Sequence, residues 1–422
     1  MLKHYLLLSL KVLRRRPFFT FISIVGISLT LLVLMVTTAL MDHSWAPMAP
    51  ESRQSRILLS ETAMAFGSRP DGGISAWCCR AGLGLYEKYA RTLPGIEYLS
   101  VFKDTRQVDS YVDGRKIRSQ LRRVDGEYWK ILDFTFVEGR PFTADDVARA
   151  EPLAVLNRTT RDRFFGAAAA VGRTIEADGE RLRVVGVVED VSFLRSIPFA
   201  EIWAPYTTAK VREDHTALMG DFQAMVLAAP DAELNEIRSE FNARLARIPQ
   251  ADFPYPFLTT LIAPFETKFN SFARHAPVSD KTDPEPQGWL VIAAGGALAL
   301  VFLLLPIINL VNINLSRIME RSSEIGVRKA FGASSRSLVG QFIVENVVLT
   351  LAGALLGLVL SAAVLAALNR SGVIPYAELA LNIRIFLYGL LIAGAFGVLS
   401  GVYPAWRMSR LHPAEALRGG RR

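Results

Sequence analysis

Hydrophobic and polar positions are sharply segregated along this chain. Four stretches hold no Asp, Glu, Lys or Arg: Pro17 to Met41 (25 residues), Pro286 to Ser316 (31), Asn346 to Asn369 (24) and Ile385 to Trp406 (22). A helix of roughly 20 apolar residues crosses a hydrocarbon layer of about 30 Å, so each stretch predicts a membrane span. The expected spans are 18–41, 288–315, 339–369 and 385–406, joined by a cytoplasmic loop at 316–338 and an outer loop at 370–384.

The 246 residues from 42 to 287 carry the patterns of a folded domain. Gln107 to Val112 and Arg115 to Val124 flank Asp113-Gly114, and Arg173 to Ala177 and Arg181 to Val188 flank Asp178-Gly179. Two Asp-Gly hairpins predict antiparallel sheet. Pro152 to Asn157 reads as a buried strand, Thr159 to Phe165 as a short helix and Gln223 to Leu227 as a strand. Asp231 is placed to cap a helix on which Leu234, Ile237, Phe241, Leu245 and Ile248 recur at helical spacing. A helix over Leu85 to Leu93 followed by a strand over Ile96 to Phe102 adds a second α/β unit. The expectation is an α+β domain in two lobes, with Pro- and Asp-rich residues 276–287 leading into the second span.

Composition and charge narrow the class. With 51% hydrophobic residues, 21% charged residues and a mean hydropathy of +0.26, the chain is neither disordered, nor a secreted mini-protein, nor a fully soluble enzyme. Residues 1–16, 317–338 and 407–422 together hold 15 of the 48 basic residues, and the positive-inside rule puts all three in the cytoplasm. The insert has 31 basic and 35 acidic residues, a net of −4, and is expected outside. The formal +8 is then a topology signal, and no nucleic-acid partner is expected. Arg14 to Arg16 before an apolar run also fits a signal peptide, but the uncharged run exceeds a typical apolar core and no A-x-A site follows before Asp42, so the span is expected to be retained. Within residues 1–17, Leu2, Leu6, Leu10 and Leu13 line one helical stripe away from Lys3, Lys11 and Arg14, which suggests a short interfacial helix.

Catalytic signatures are absent. The sequence has no G-x-x-x-x-G-K-[ST], G-x-S-x-G or H-E-x-x-H, and its five histidines are scattered. No catalytic, cofactor-binding or metal-binding residue is therefore assigned. Cys78 and Cys79 are the only cysteines; an adjacent pair cannot make a zinc site alone, and a strained vicinal disulfide or a local structural role are both open.

The membrane half holds more specific features. Gly353-x-x-x-Gly357 and Gly397-x-x-x-Gly401 would allow close helix packing. Glu345 falls within the third span, where snorkelling to the interface is favoured over a proton relay. Asn309, Asn312 and Asn314 are expected to hydrogen-bond between helices. After the second span, charged Glu320, Arg321, Glu324, Arg328 and Lys329 interleave with Ile318, Ile325, Val327 and Phe331. Spacing alone leaves two readings near balance: a solvated loop with a Glu324 to Arg328 pair, or a partner-docking helix with Ile325 and Phe331 as anchors and Gly332 as its stop.

Here the chain resembles a known family. ERSSEIGVRKAFGASSRS followed by QFIVEN, and the closing YPAWRMSRLHPAEALR, are similar to the MacB and FtsX class of ABC transporter permeases. VDGEYWKILDFTFVEGRPFTADDV, LNRTTRDRFFG and VGRTIEADGERLRVVGVVEDV in the insert support the same match. The resemblance implies an integral membrane protein with four helical spans and a large extracytoplasmic α+β domain, a porter-like lobe plus a second lobe, between the first two. It implies a bacterial inner-membrane location with both termini cytoplasmic. It further implies a homodimer or a heterodimer with a related permease, working with a cytoplasmic ABC ATPase.

Only about 17 residues precede the first span, so the ATPase is expected as a separate polypeptide and the chain itself as no enzyme. By the same resemblance, Glu324, Ile325, Gly326, Arg328, Lys329, Phe331 and Gly332 belong to a coupling helix reaching to Ser334, seated on that ATPase. Pro404, Arg407, Pro413, Leu417 and Arg418 belong to a tail beside it. Export or extraction by mechanotransmission, with a periplasmic adaptor and an outer-membrane channel as further partners, is the leading expectation. The alternative is an FtsX-type transducer that regulates an envelope enzyme or sensor. The chain departs from relatives at Met408, Ser409 and His412, and residues 42 to about 85 match nothing recognisable.

Overall fold

The computed structural model describes residues 17–68, 73–112, 114–166, 168–210, 214–277, 283, 287–301 and 335–392, with single positions 304, 308, 327, 394, 395 and 398. The chain falls into two compact units, residues 46–293 and the helical remainder. The expected interfacial helix, the Asn309, Asn312 and Asn314 group, Gly397, Gly401, the coupling segment apart from Val327, and the tail all lie outside the described residues.

Helix α1 (Pro17–Trp45) opens the chain. The large unit follows with strands β1 (Ile57–Ser60), β2 (Ala63–Ser68) and β3 (Ile74–Ala81), then α2 (Leu83–Leu85), which passes into a π-helical turn at Tyr86–Ala90. Next come β4 (Ile96–Lys103), β5 (Arg106–Val112), β6 (Arg115–Val124), α3 (Tyr128–Ile131), β7 (Phe136–Gly139), α4 (Ala144–Ala148), β8 (Leu153–Asn157) and α5 (Arg158–Phe165). Strands β9 (Thr174–Ala177), β10 (Glu180–Val188), β11 (Ile202–Pro205), β12 (Met219–Gly220) and β13 (Phe222–Ala228) precede α6 (Leu234–Leu245), β14 (Leu258–Ile262) and α7 (Lys268–His275). The strands form one mixed sheet in the order β14-β2-β3-β13-β4-β6-β11-β8-β10-β7, with β1 on β13, β12 on β3, β5 on β6 and β9 on β10.

Both Asp-Gly hairpins form, β5 with β6 and β9 with β10. At the second, Asp178 and Gly179 both take positive φ (59° and 69°), the backbone a two-residue turn of this hand requires. Burial explains the centre of the sheet. Strand β13 is buried at every position, because successive side chains enter opposite cores. Phe222, Ala224 and Val226 join Leu58, Tyr86, Phe241 and Phe265, whereas Met225 and Leu227 join Phe102, Tyr128 and Trp203. A third core, around Val108, Leu156, Phe164 and Ile202, fills the β5–β11 lobe.

Two local expectations fail. Asp231 does not cap α6: Glu233 stands at the N-cap with no side-chain bond. Residues 229–232 are spent in a turn, Ala229 N donating to Gly95 O and Ala232 N to Ala229 O, so the helix starts later. The helix expected over Leu85 to Leu93 ends at Ala90 with a wide π turn, Arg91 N donating to Tyr86 O. The segment that matched nothing, up to residue 85, supplies β1–β3 of the lobe around Tyr86; Cys78 and Cys79 lie on β3 in register with Met64 and Ala63.

In the helical unit, α8 (Gly288–Val301), α9 (Ser335–Ser371) and α10 (Ile383–Ile392) follow, the first residues of α8 belonging to the large unit. Among the described residues, Pro17–Trp45 and Ile343–Ser371 are long and apolar enough to cross a membrane, 29 residues each. At 1.5 Å per residue each is about 43 Å long.

Candidate functional site

The two ends of the large unit are the places where any movement of flanking helices must enter it, and both are held by buried charge. After Ala46 the chain turns through Glu51, whose side chain is only 5% exposed. Its carboxylate accepts Arg195 Nη1 at 2.9 Å and Lys268 Nζ at 2.8 and 3.0 Å. Arg195, in the loop between β10 and β11, also donates to the Ala46 and Met48 carbonyls at 2.9 and 3.3 Å. The adjacent Arg53 pairs with Asp133 at 2.7 Å, and Asp133 N donates to Pro50 O.

The other end is built around α7. Thr267 caps it by accepting Asn270 N, which fixes where Lys268 and Arg274 project. Arg274 grips Glu266 in a two-pronged pair (3.0 and 2.6 Å), with side chains 4% and 3% exposed, and donates to Asp283 O at 2.6 Å. Glu266 in turn exchanges both backbone hydrogen bonds with Leu59 of β1. Such bidentate pairs are directional, and removing one partner from a buried pair costs about 3–5 kcal/mol.

Two interior residues tie this region to the sheet. Arg122 on β6 is buried, faces the Phe102 ring, and donates to the carbonyls of Ser196, Phe199 and Lys103 (2.7, 3.2 and 3.3 Å). Burial pulls its guanidinium below the ordinary value, and its bonds pin the loop that carries Arg195 onto the sheet. Asp125 accepts Ser100 Oγ, Val101 N and Tyr128 N at 2.7, 2.8 and 3.0 Å, joining β4 to the start of α3. Burial nevertheless pushes its carboxyl up to about 7, against the pull of those donors.

In the helical unit, α1 and α9 meet through small residues. A Cβ at Gly353 would lie 2.8 Å from Ile27 Cβ, and one at Gly357 3.0 Å from Ser28 O. Gly389 on α10, which spacing did not single out, also packs here: a Cβ there would lie 3.1 Å from Leu31 Cδ2, the end of a flexible side chain. Glu345 is buried and accepts Gln341 Nε2 at 3.2 Å, where snorkelling was expected. Gln341, one helical turn earlier, supplies that partner. Among the described residues, no group of three or more His, Cys, Asp or Glu could hold a metal. The predicted coupling and tail residues lie outside the described region; the ionic residues at the two ends were not foreseen.

An α+β domain set between helices long enough to cross a membrane defines the class: a membrane-embedded protein with a large domain inserted in its helical part. The chain belongs to the MacB/FtsX-like ABC transporter permeases, matching the MacB-like periplasmic core domain over residues 20–244 and the FtsX-like permease C-terminal region over 296–413. The ABC transporter permease YvrN of Bacillus subtilis is 28% identical over 301 residues, 71% of this chain and 70% of YvrN. The macrolide export ATP-binding/permease protein MacB of Shigella boydii is 28% identical over 304 residues, and the match spans 43% of MacB. Among solved structures, the periplasmic region of MacB from Actinobacillus actinomycetemcomitans aligns with 48% of this chain and 89% of its own at 16% identity and a TM-score of 0.34.

Proposed function

We propose that this chain is the permease subunit of an ATP-driven MacB-type ABC transporter, working as a dimer with a separate cytoplasmic ATPase. In this reading four spans, at 18–41, 288–315, 339–369 and 385–406, hold residues 42–287 outside the cytoplasm and both termini inside. The ATPase seats Glu324 to Ser334, with Ile325 and Phe331 as apolar anchors and Arg328 and Lys329 setting the register, and the tail from Pro404 to Arg418 runs beside it. Closure of the ATPase dimer draws the cytoplasmic helix ends together, and the helices pass that motion to the outer domain, which acts on a substrate on the outer side.

The observation that carries the reading is the union in one chain of a MacB-like core domain with an FtsX-like permease segment. Purification of the tagged chain from native membranes tests it. Retention of an ABC ATPase, together with an adaptor and an outer-membrane channel, is the expected result. Recovery with an envelope hydrolase in place of the adaptor and channel would overturn export in favour of a regulatory transducer, and recovery without any ATPase would overturn both.

A further inference from the structure

The charged groups at the two ends of the large unit make one connected series of bonds. Glu51, on the entering segment, holds Lys268, the first residue of α7. Arg274 near the end of that helix holds Glu266 and the Asp283 carbonyl on the leaving segment. Glu266 is paired through its backbone with Leu59, on the strand that follows Glu51. Arg195 adds a second hold on Glu51 and on the Ala46 carbonyl, and Arg122 anchors its loop to β6.

We infer that Glu51 and Lys268 form a yoke that fixes the entering and leaving segments to each other, so that the two ends of the domain move as one body. They are positioning residues, and the inference rests on the proposed function, in which helix motion is delivered to this domain. Burial is what makes the join stiff. An exposed pair trades its partner for water at little cost, whereas here each charge has little solvent to turn to, with Lys268, the most exposed of the three, at 13%. Tied ends cannot spread to absorb a displacement, so the displacement passes to the whole sheet.

The test uses the full chain with its ATPase in nanodiscs. Cys78 and Cys79 are replaced by serine, and a spin label is placed at Tyr111, an exposed position on β5. The label-to-label distance between the two protomers is read without nucleotide and with ATP and vanadate. The expected result is a nucleotide-dependent shift that Lys268→Met cuts at least in half and Glu51→Gln abolishes. In Lys268→Met, Arg195 still satisfies Glu51, so that variant folds even if Glu51→Gln does not. A merely structural pair would lower the melting temperature and leave the shift intact, and an undiminished shift in Lys268→Met would overturn the yoke. Absence of any shift in the parent protein would overturn motion transfer itself, a separate failure from that of the yoke.

Discussion

Removing the guanidinium at Arg274 isolates the energy of one of these joins. Arg274→Met keeps an unbranched side chain of similar length and deletes the donors to Glu266 and to Asp283 O. The Glu266 carboxylate, 3% exposed, is left buried without its counter-charge. The cost of breaking a buried pair in this way is about 3–5 kcal/mol. For a domain of this size each kcal/mol moves the melting temperature by about 2–4 °C, so the fall should be roughly 6–20 °C. Fluorescence of the buried Trp203, read during a melt of the full chain in detergent with the other five tryptophans replaced by phenylalanine, reports unfolding of this domain. The comparison is Arg91→Met, which loses a half-exposed pair with Glu87 worth about 0.2–1 kcal/mol. Glu266→Leu combined with Arg274→Met should recover much of the loss, because two packed apolar groups leave no orphaned charge. If Arg274→Met melts no lower than Arg91→Met, the pair is solvated and the reasoning about a stiff join collapses.

Three further outcomes are expected. Because burial raises the folded-state carboxyl of Asp125 to about 7 while its unfolded value is about 3.9, its contribution to stability is fully present below about pH 4 and is lost as pH rises through about 7. Asp125→Asn should flatten that part of a melting-versus-pH profile while lowering the whole, since one amide oxygen cannot replace both carboxylate acceptors of Ser100, Val101 and Tyr128. Gly353→Ala drives a Cβ to 2.8 Å from Ile27 and should destabilise the full chain by about 1–3 kcal/mol, whereas Gly340→Ala, which meets nothing within 4 Å among the described residues, should stabilise by about 1 kcal/mol in the same melt. Ile325→Asp with Arg328→Glu should abolish retention of the ATPase in a pull-down and leave the Trp203 melt unchanged; unchanged retention would make the segment a mere connector.

How much was legible in the sequence depended on how local each signal is. An Asp-Gly turn is a signal only two residues long, and both hairpins could be read directly. The α6 face could be read from Ile237, Phe241 and Leu245 because a helix brings those positions together without outside help. The start of α6 could not, because Ala229 is claimed by Gly95, far back in the chain. Strands β2 and β3 had a signal that went unused: Arg69-Pro70-Asp71-Gly72-Gly73 between two apolar runs has turn composition. Gly389 stands outside any G-x-x-x-G, so only the packed helices reveal it.

The ionic residues could not be read at all, and the reason is physical. Glu51 is 144 residues from Arg195 and 217 from Lys268, and it gains its character only from the burial they share. In sequence each looks like an ordinary solvated charge, the default reading for Lys, Arg and Glu. A join between chain ends also has different needs from a core. Apolar contact is non-directional and tolerates sliding, whereas a two-pronged guanidinium–carboxylate pair holds one register and one angle. Under the proposed function, in which motion reaches the domain from the chain at both ends, held register serves better than extra packing energy. Buried pairs such as Arg274 with Glu266 and Arg195 with Glu51 therefore hold the two ends by direction, as the buried Arg122 and Asp125 do within the sheet, while aliphatic and aromatic side chains fill the three cores by contact alone.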